Sequence, residues 1–424
     1  MNRIILIGNG FDLAHDMKTS YRNFLDKYIL EIKESIDRKK FNNEYFLYMD
    51  TLSFISKDEK KHSAPYPFCS MTNNPKLLEK VGLSEGFFYF RNEFIQSLFV
   101  EHSLEHWVDI ENEYYDSLCK TIDYTDHEER AKDLNESFNS IKTRLRSYLL
   151  EQSKNAKAKK IHEKIFSPID TSNLSKGAKE YFIRDLIRKI PPKDNRDAVK
   201  DFIRKELNHI KYDSPYFDLC TSDFEYAIQK FYEYFPDDRP GKLSEIDFNC
   251  IRTPREILFL NFNYTDTSDF YKASSTITNH IHGDLFDEKN PMVFGYGDTN
   301  NDCYKRIKKL KNPEFLKNIK SINYPNTENY NSLIHFIGSD LYQIFIMGHS
   351  CGKSDMSLLK TLFEHENCAC IKVFYHKREG SDNYSEIVRN IALCFDDESL
   401  ILERVVNKNL CEPLLDYSYS RQYV

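Results

Sequence analysis

Two hydrophobic patterns divide the chain. Arg3 to Ile7 is a short run of Ile and Leu, the composition of a strand buried on both faces of a parallel sheet, and it stops at Gly8-Asn9-Gly10. Comparable runs return late, at Glu256–Phe262, Thr276–Ile281, Met292–Asp298, Gln343–Met347 and Cys370–Tyr375. From about Ser84 to Tyr234 apolar positions recur every three or four residues instead. Phe94, Leu98 and Phe99 make one such stripe, and Leu134, Phe138, Ile141, Leu145 and Leu149 another. That spacing predicts a layer of roughly five to seven helices.

Punctuation fits the same plan. Thr19-Ser20 stands where it would cap a helix beginning near Tyr21. Residues 21–56 read as helices broken near Phe41-Asn42-Asn43, and Pro65-Tyr66-Pro67 as a loop. Ile190-Pro191-Pro192 splits the helical layer, because proline cannot continue a helix, and Pro236 to Gly241 closes it. Further helices are expected over 301–340, Lys353–Glu364 and Tyr384–Cys394. Strands alternating with helices imply a parallel sheet. The expected fold is α/β, a parallel-sheet Rossmann-like core with a large α-helical insertion. Residues 1–83 would give its first strand and helices, 84–240 the insertion, and 241–424 the remainder.

The late strands share one feature: each ends in polar or glycine residues. In an open parallel sheet the carboxyl ends of the strands line one crevice, where ligands bind. Gly8-Asn9-Gly10, Asn263-Tyr264, His282-Gly283 and Gly348-His349-Ser350 would then meet there. For the first loop two readings stand. It is a plain turn, since glycine turns a chain freely, or a phosphate cradle, although the third glycine of a dinucleotide fingerprint is missing near Leu13. Glu111, in Trp107 to Tyr114, is either an acid favoured by a helix N-terminus or the edge of the site.

Composition narrows the function. The 424 residues carry a net charge of −7, against a broad basic face for nucleic acid. Lys305 to Lys311 reads as a solvated helix face. No run reaches the ~18 apolar residues of a membrane span, and Arg3 leads straight into the strand without a signal-peptide pattern, so no membrane association and a cytoplasmic location are expected. Ten cysteines include no Cys-x-x-Cys pair, which argues against a zinc ribbon. Cys368-Ala369-Cys370 reads as buried free thiols, and no metal is expected.

At these residues the chain resembles a known group. Gly8-Asn9-Gly10-Phe11-Asp12-Leu13-Ala14-His15 with Thr19-Ser20-Tyr21 is similar to the opening of the AbiH proteins, a bacterial group linked to phage abortive infection. Trp107 to Glu111, Asn261 to Thr265, His280 to Gly283, and Gly348-His349-Ser350 through Asp355 resemble its later blocks. The order of blocks is also similar to the sirtuin-like NAD-binding superfamily. By that resemblance Asn263 would orient the nicotinamide ribose and water, and His282 would be the catalytic histidine. Gly8, Asn9, Gly10, Gly283, Gly348 and Ser350 would hold the nucleotide, with Asp355 beginning the helix beyond. The paired cysteines of sirtuin deacylases are absent, so the resemblance implies cleavage of NAD by water. Asp12 departs from sirtuins, and its carboxylate would repel pyrophosphate unless it meets a ribose hydroxyl.

Two other readings stay open. One is a nucleotide-binding sensor or assembly module whose output is interaction; under any reading a phage-derived trigger and a second copy of the chain are the expected partners. The other is a metal-dependent nuclease or nucleotide hydrolase, in which Asp12, Glu111, Asp266 and Asp284 gather into an acidic cluster.

Overall fold

The computed structural model describes residues 1–37, 46–49, 70–72, 74–100, 107–178, 181, 253–297, 301–378 and 380–415. The breaks expected at Phe41-Asn42-Asn43, Pro65–Pro67, Ile190–Pro192 and Pro236–Gly241 lie outside them, as does the end of the helical layer. Among the described residues no helix is long and apolar enough to cross a membrane.

The chain is a mixed α/β protein built on a six-stranded parallel sheet. Its strands are β1 (Asn2–Ile7), β5 (Ile257–Asn261), β6 (Thr276–His280), β7 (Tyr342–Met347), β8 (Cys368–Tyr375) and β11 (Glu412–Pro413), in the order β11-β8-β7-β1-β5-β6. Alternation along the strands feeds two cores. Ile4 and Leu6 of β1 join Leu258, Leu260, Ile344 and Ile346 on one face. Ile5 and Ile7 join Ile257, Phe259, Phe345 and Met347 on the other. Both faces of the inner strands are buried, which is why they read as unbroken apolar runs.

Helices α8 (Asn329–Ser339), α9 (Met356–Glu364) and α10 (Tyr384–Ala392) pack on the first face. Short helix α1 (Asn9–Ala14) and the turn at His162–Ile165 cover the second, through Phe11, Ile161 and Ile165. Arg3 is fully buried there, and its guanidinium donates to the carbonyls of Ile165 and Ser167, each at 2.7 Å. Helix α2 (Tyr21–Asp37) follows α1, and Ser20 Oγ accepts from the Asn23 amide at 3.2 Å, the expected cap.

The inserted layer holds α4 (Glu93–Val100), α5 (Trp107–Thr121) and α6 (His127–Gln152). Phe94, Leu98, Leu134, Phe138, Ile141 and Leu145 all reach its core, as the spacing predicts. A feature that spacing hides is a small antiparallel sheet, in which β2 (Phe46–Met49) and β3 (Ser70–Thr72) flank β4 (Phe87–Phe90).

One expected strand is corrected. Met292–Gly297 forms no ladder, and only Tyr296 makes a bridge, to Ile319. A Cβ on Gly295 would stand 2.1 Å from the Asn318 carbonyl oxygen, and one on Gly297 2.0 Å from that of Ser354. The segment is wedged backbone to backbone between two loops, so its apolar alternation records burial without pairing. The sixth strand is the two-residue β11 at the sheet edge, and β9 (Lys377–Arg378) and β10 (Ser381–Asp382) pair with each other outside that sheet.

Candidate functional site

The sheet order fixes where a ligand can enter. From β1 the chain builds outward through β5 and β6 on one side, then through β7, β8 and β11 on the other. Loops leaving β1 and β7 therefore part at a topological switch point, where open parallel sheets bind ligands. Gly8-Asn9-Gly10 and Gly348-His349-Ser350 meet here. Gly348 has φ +80°, and a Cβ on it would stand 2.0 Å from the Phe11 amide nitrogen. The Gly10 N–H donates to the Gly348 carbonyl at 2.8 Å. The glycines let two loops touch, and Gly10 spends its N–H inside the protein.

Asn263 lies just past β5. Its Nδ2 donates to the Gly8 carbonyl at 2.9 Å, and Asn261 Oδ1 accepts from its amide at 2.9 Å. Asn9 Oδ1 accepts from Thr19 Oγ1 at 2.7 Å. Asp12 is buried, and its two oxygens accept from Thr265 Oγ1 at 2.6 Å and Thr267 Oγ1 at 2.7 Å. Burial pushes its carboxyl up to about 6 despite these hydroxyls. Asp12 thus ties α1 to the loop after β5, with both oxygens used within the fold. Gly283, with φ +91°, turns the chain where a Cβ would stand 2.3 Å from the Pro291 carbonyl oxygen.

Beside this crevice is a buried charged cluster around Asp355. Its Oδ1 accepts from Lys320 Nζ at 2.8 Å and lies 3.3 Å from His282 Nε2, and its Oδ2 lies 3.7 Å from His349 Nε2. Lys320 Nζ also donates to Glu111 Oε2 at 2.9 Å and Ser354 Oγ at 3.4 Å. Glu111 Oε1 accepts from the Gly295 amide at 3.2 Å. Tyr324 OH is 3.3 Å from His282 Nε2, and Tyr264 OH donates to the Val293 carbonyl at 3.2 Å. Asp355 occupies the N-cap of α9 yet caps nothing.

Electrostatics orders the cluster. Burial would raise Asp355, but Lys320, His282 and His349 outweigh it and hold the carboxyl well below its usual range. Burial pulls Lys320 down, and its two carboxylates more than restore it. Burial raises Glu111 against the pull of Lys320, and Asp355 adds to the rise. His349 is pushed down to about 4 by burial, with His282 and Lys320 adding to the fall against Asp355. Its Nδ1 accepts from the Cys351 amide at 3.0 Å, so the neutral ring carries its proton on Nε2, toward Asp355.

Gly8, Asn9, Gly10, Asp12, Asn263, Tyr264, His282, Gly348, Ser350 and Asp355 all line one cleft of about 1770 Å³ among the described residues, with Glu111 and Lys320. Such a volume exceeds the ~300–1,000 Å³ of ordinary ligand sites. Sequence reasoning places His349 at this strand end within Gly348-His349-Ser350 but misses Lys320. A lone lysine before a short helix carries no local signal, and its partner Glu111 lies 209 positions away.

Asp266 and Asp284 do not join Asp12 and Glu111. They meet across His280 instead, with Nε2 3.4 Å from Asp266 Oδ1 and 3.9 Å from Asp284 Oδ2. These three ligand atoms lie within 4.8 Å of one another, close enough to hold a cation. Asn261 Nδ2 faces His280 Nδ1 at 3.4 Å, and the Asn263 amide fixes which end of that side chain is nitrogen. A neutral His280 so held carries its proton on Nε2, the nitrogen that faces both Asp266 and Asp284.

A protein-family model described as "Bacteriophage abortive infection AbiH" matches residues 4–376. No curated protein and no solved structure matches the chain. The match spans most of the sequence, and the chain belongs to the AbiH family, which suggests a part in anti-phage abortive infection.

Proposed function

We propose that this family member acts in phage defence by cleaving the nicotinamide–ribose bond of NAD with water. The observation that carries the reading is the meeting of Asn263 with the His282–Asp355 pair at the switch point of the sheet. Cleaving that bond expels a neutral leaving group from a cationic one, so no acid must protonate it, unlike an ordinary glycoside. What remains is to stabilise an oxocarbenium-like ribose and activate water. Asp355 engages Nε2 of His282, which orients the ring and leaves Nδ1 as the proton acceptor. The Asn263 amide donates to Gly8 and has a carbonyl oxygen to orient water or a ribose hydroxyl.

In this reading Gly283 lies outside the cleft lining, turning against Pro291, and Gly8, Asn9, Gly348 and Ser350 border the nucleotide. They serve by close backbone approach, since the Gly10 N–H is already donated. The inserted helices would restrain the site until a phage-derived trigger arrives, because unchecked NAD loss kills the host.

Purified protein incubated with NAD, with and without infected-cell lysate, tests the proposal through nicotinamide release. His282→Ala and Asn263→Ala should each lower the rate about 100-fold or more. Bound nucleotide that stays intact, with defence surviving His282→Ala, would favour a sensor. A second reading rests on Asp266, His280 and Asp284 as a cation site for a metal-dependent hydrolase. Activity abolished by EDTA and restored by a divalent ion would select it, whereas the NAD reading expects EDTA to change nothing.

A further inference from the structure

We infer that Glu111 is a catalytic carboxylate of this cleft, supplied by the inserted helices, and that Lys320 is the residue that positions it. The inference rests on the NAD reading and deepens it. An acid placed only to favour a helix N-terminus is exposed and turned toward the helix's own amides. Glu111 is 5% exposed, and it accepts from Gly295 and from Lys320, far along the chain. It lines the same cleft as Asn263 and His282.

Lys320 is built into its place. Its own amide donates to the Tyr296 carbonyl at 2.8 Å, and the bare backbone of Gly297 lies against its stem. The ammonium has three protons, and Glu111, Asp355 and Ser354 take all three. Lys320 is therefore neither nucleophile nor phosphate ligand. Its effect is to hold two carboxylates at the cleft wall.

With Glu111 and Asp355 ionised and His282 neutral, as its role as base requires, one ammonium facing two carboxylates leaves one negative charge without a fixed partner. The groups facing Glu111 from the surrounding elements are Lys320, Asp355, His282, Tyr264, Tyr324 and Ser354. His349 reaches the same hub but is neutral near pH 7. An uncompensated buried anion is costly, and a cationic ligand supplies the missing charge. NAD brings one, in its nicotinamide riboside, and the charge moves onto the ribose as the bond breaks. The C1′–N1 bond breaks with its electron pair going to the nicotinamide nitrogen. A water oxygen bonds to C1′, and the water proton passes to His282 and then to solvent. Glu111 exchanges no bond. It accepts hydrogen bonds from the ribose hydroxyls and stabilises the positive ring, most strongly at the transition state.

The test uses the full-length chain. Glu111→Gln should lower kcat for NAD about 100-fold or more with KM changed less than about threefold. Lys320→Met should move the acid limb of the kcat–pH profile upward by about one unit or more, because Glu111 then loses its cation and protonates at higher pH. Lys320→Arg should return the limb toward wild type. Thermal melts establish that each variant is folded. If Glu111→Gln is not, the two lysine variants decide. A folded Glu111→Gln with wild-type kcat, or a Lys320→Met limb that does not move, overturns the role of Glu111 while NAD cleavage stands. Wild-type protein that leaves NAD intact both with and without infected-cell lysate overturns the underlying reading itself.

Discussion

Asp12 holds a buried carboxylate whose two oxygens accept from the hydroxyls of Thr265 and Thr267. Its carboxyl is pushed up to about 6 in the fold against ~3.9 in an unfolded chain. Between these values the unfolded chain holds fewer protons than the folded one. Stability therefore falls as pH rises from about 4 to 6, by at most roughly 3 kcal/mol from this residue. Asp12→Asn should flatten that part of the melting-temperature–pH curve, and an unchanged slope would show that Asp12 is ionised in both states across the window. The same geometry resolves the conflict that Asp12 poses in the sequence. It does not confront pyrophosphate as an open carboxylate, since both oxygens are engaged inward.

At the scale of elements, the glycines govern how loops meet. Gly348→Ala would force a Cβ to within 2.0 Å of the Phe11 nitrogen at φ +80°. Both faults act together, and a loss of about 3 kcal/mol or more is expected, read as a fall in denaturation midpoint. A loss below about 1 kcal/mol would mean the two loops can part. The elements also explain what the sequence discloses. β1, β5, β7 and β8 are legible because burial on both faces demands apolar runs. Met292–Gly297 shares that composition for another reason, wedging between residues 318 and 354. Phe87–Phe90 is a strand concealed by helical spacing on either side. In the site, strand-end residues such as Asn263, His282 and Gly348 are visible because topology gathers strand ends. Lys320 is not, since only the docking of a distant helix buries it.

Over the whole molecule, α5 is fastened along its length to residues 295–320. Glu111 meets Lys320, Tyr115 stacks on Tyr296 with centroids 3.7 Å apart, and Tyr115 OH donates to Asn301 Oδ1 at 2.7 Å. Further along, Cys119 is bonded to Cys303 in α7 (Asp302–Leu310). A bridge across 184 positions should stabilise by about 2–4 kcal/mol. Dithiothreitol, or a Cys119→Ser, Cys303→Ser double variant, should lower the melting temperature by several degrees. Equal melts with and without reductant, from protein whose bridge mass spectrometry has detected, would refute this.

That fastening limits how such chains can vary in evolution. A helical segment inserted into a sheet protein is usually free to drift or be exchanged as a cassette, since the parent fold does not depend on it. Here a replacement must bring an acid to the height of Lys320. Without one, the ammonium pairs with Asp355 alone and the pocket loses its surplus negative charge. Chimeras that exchange the helices should therefore fold and yet be silent, unless they also restore that single carboxylate.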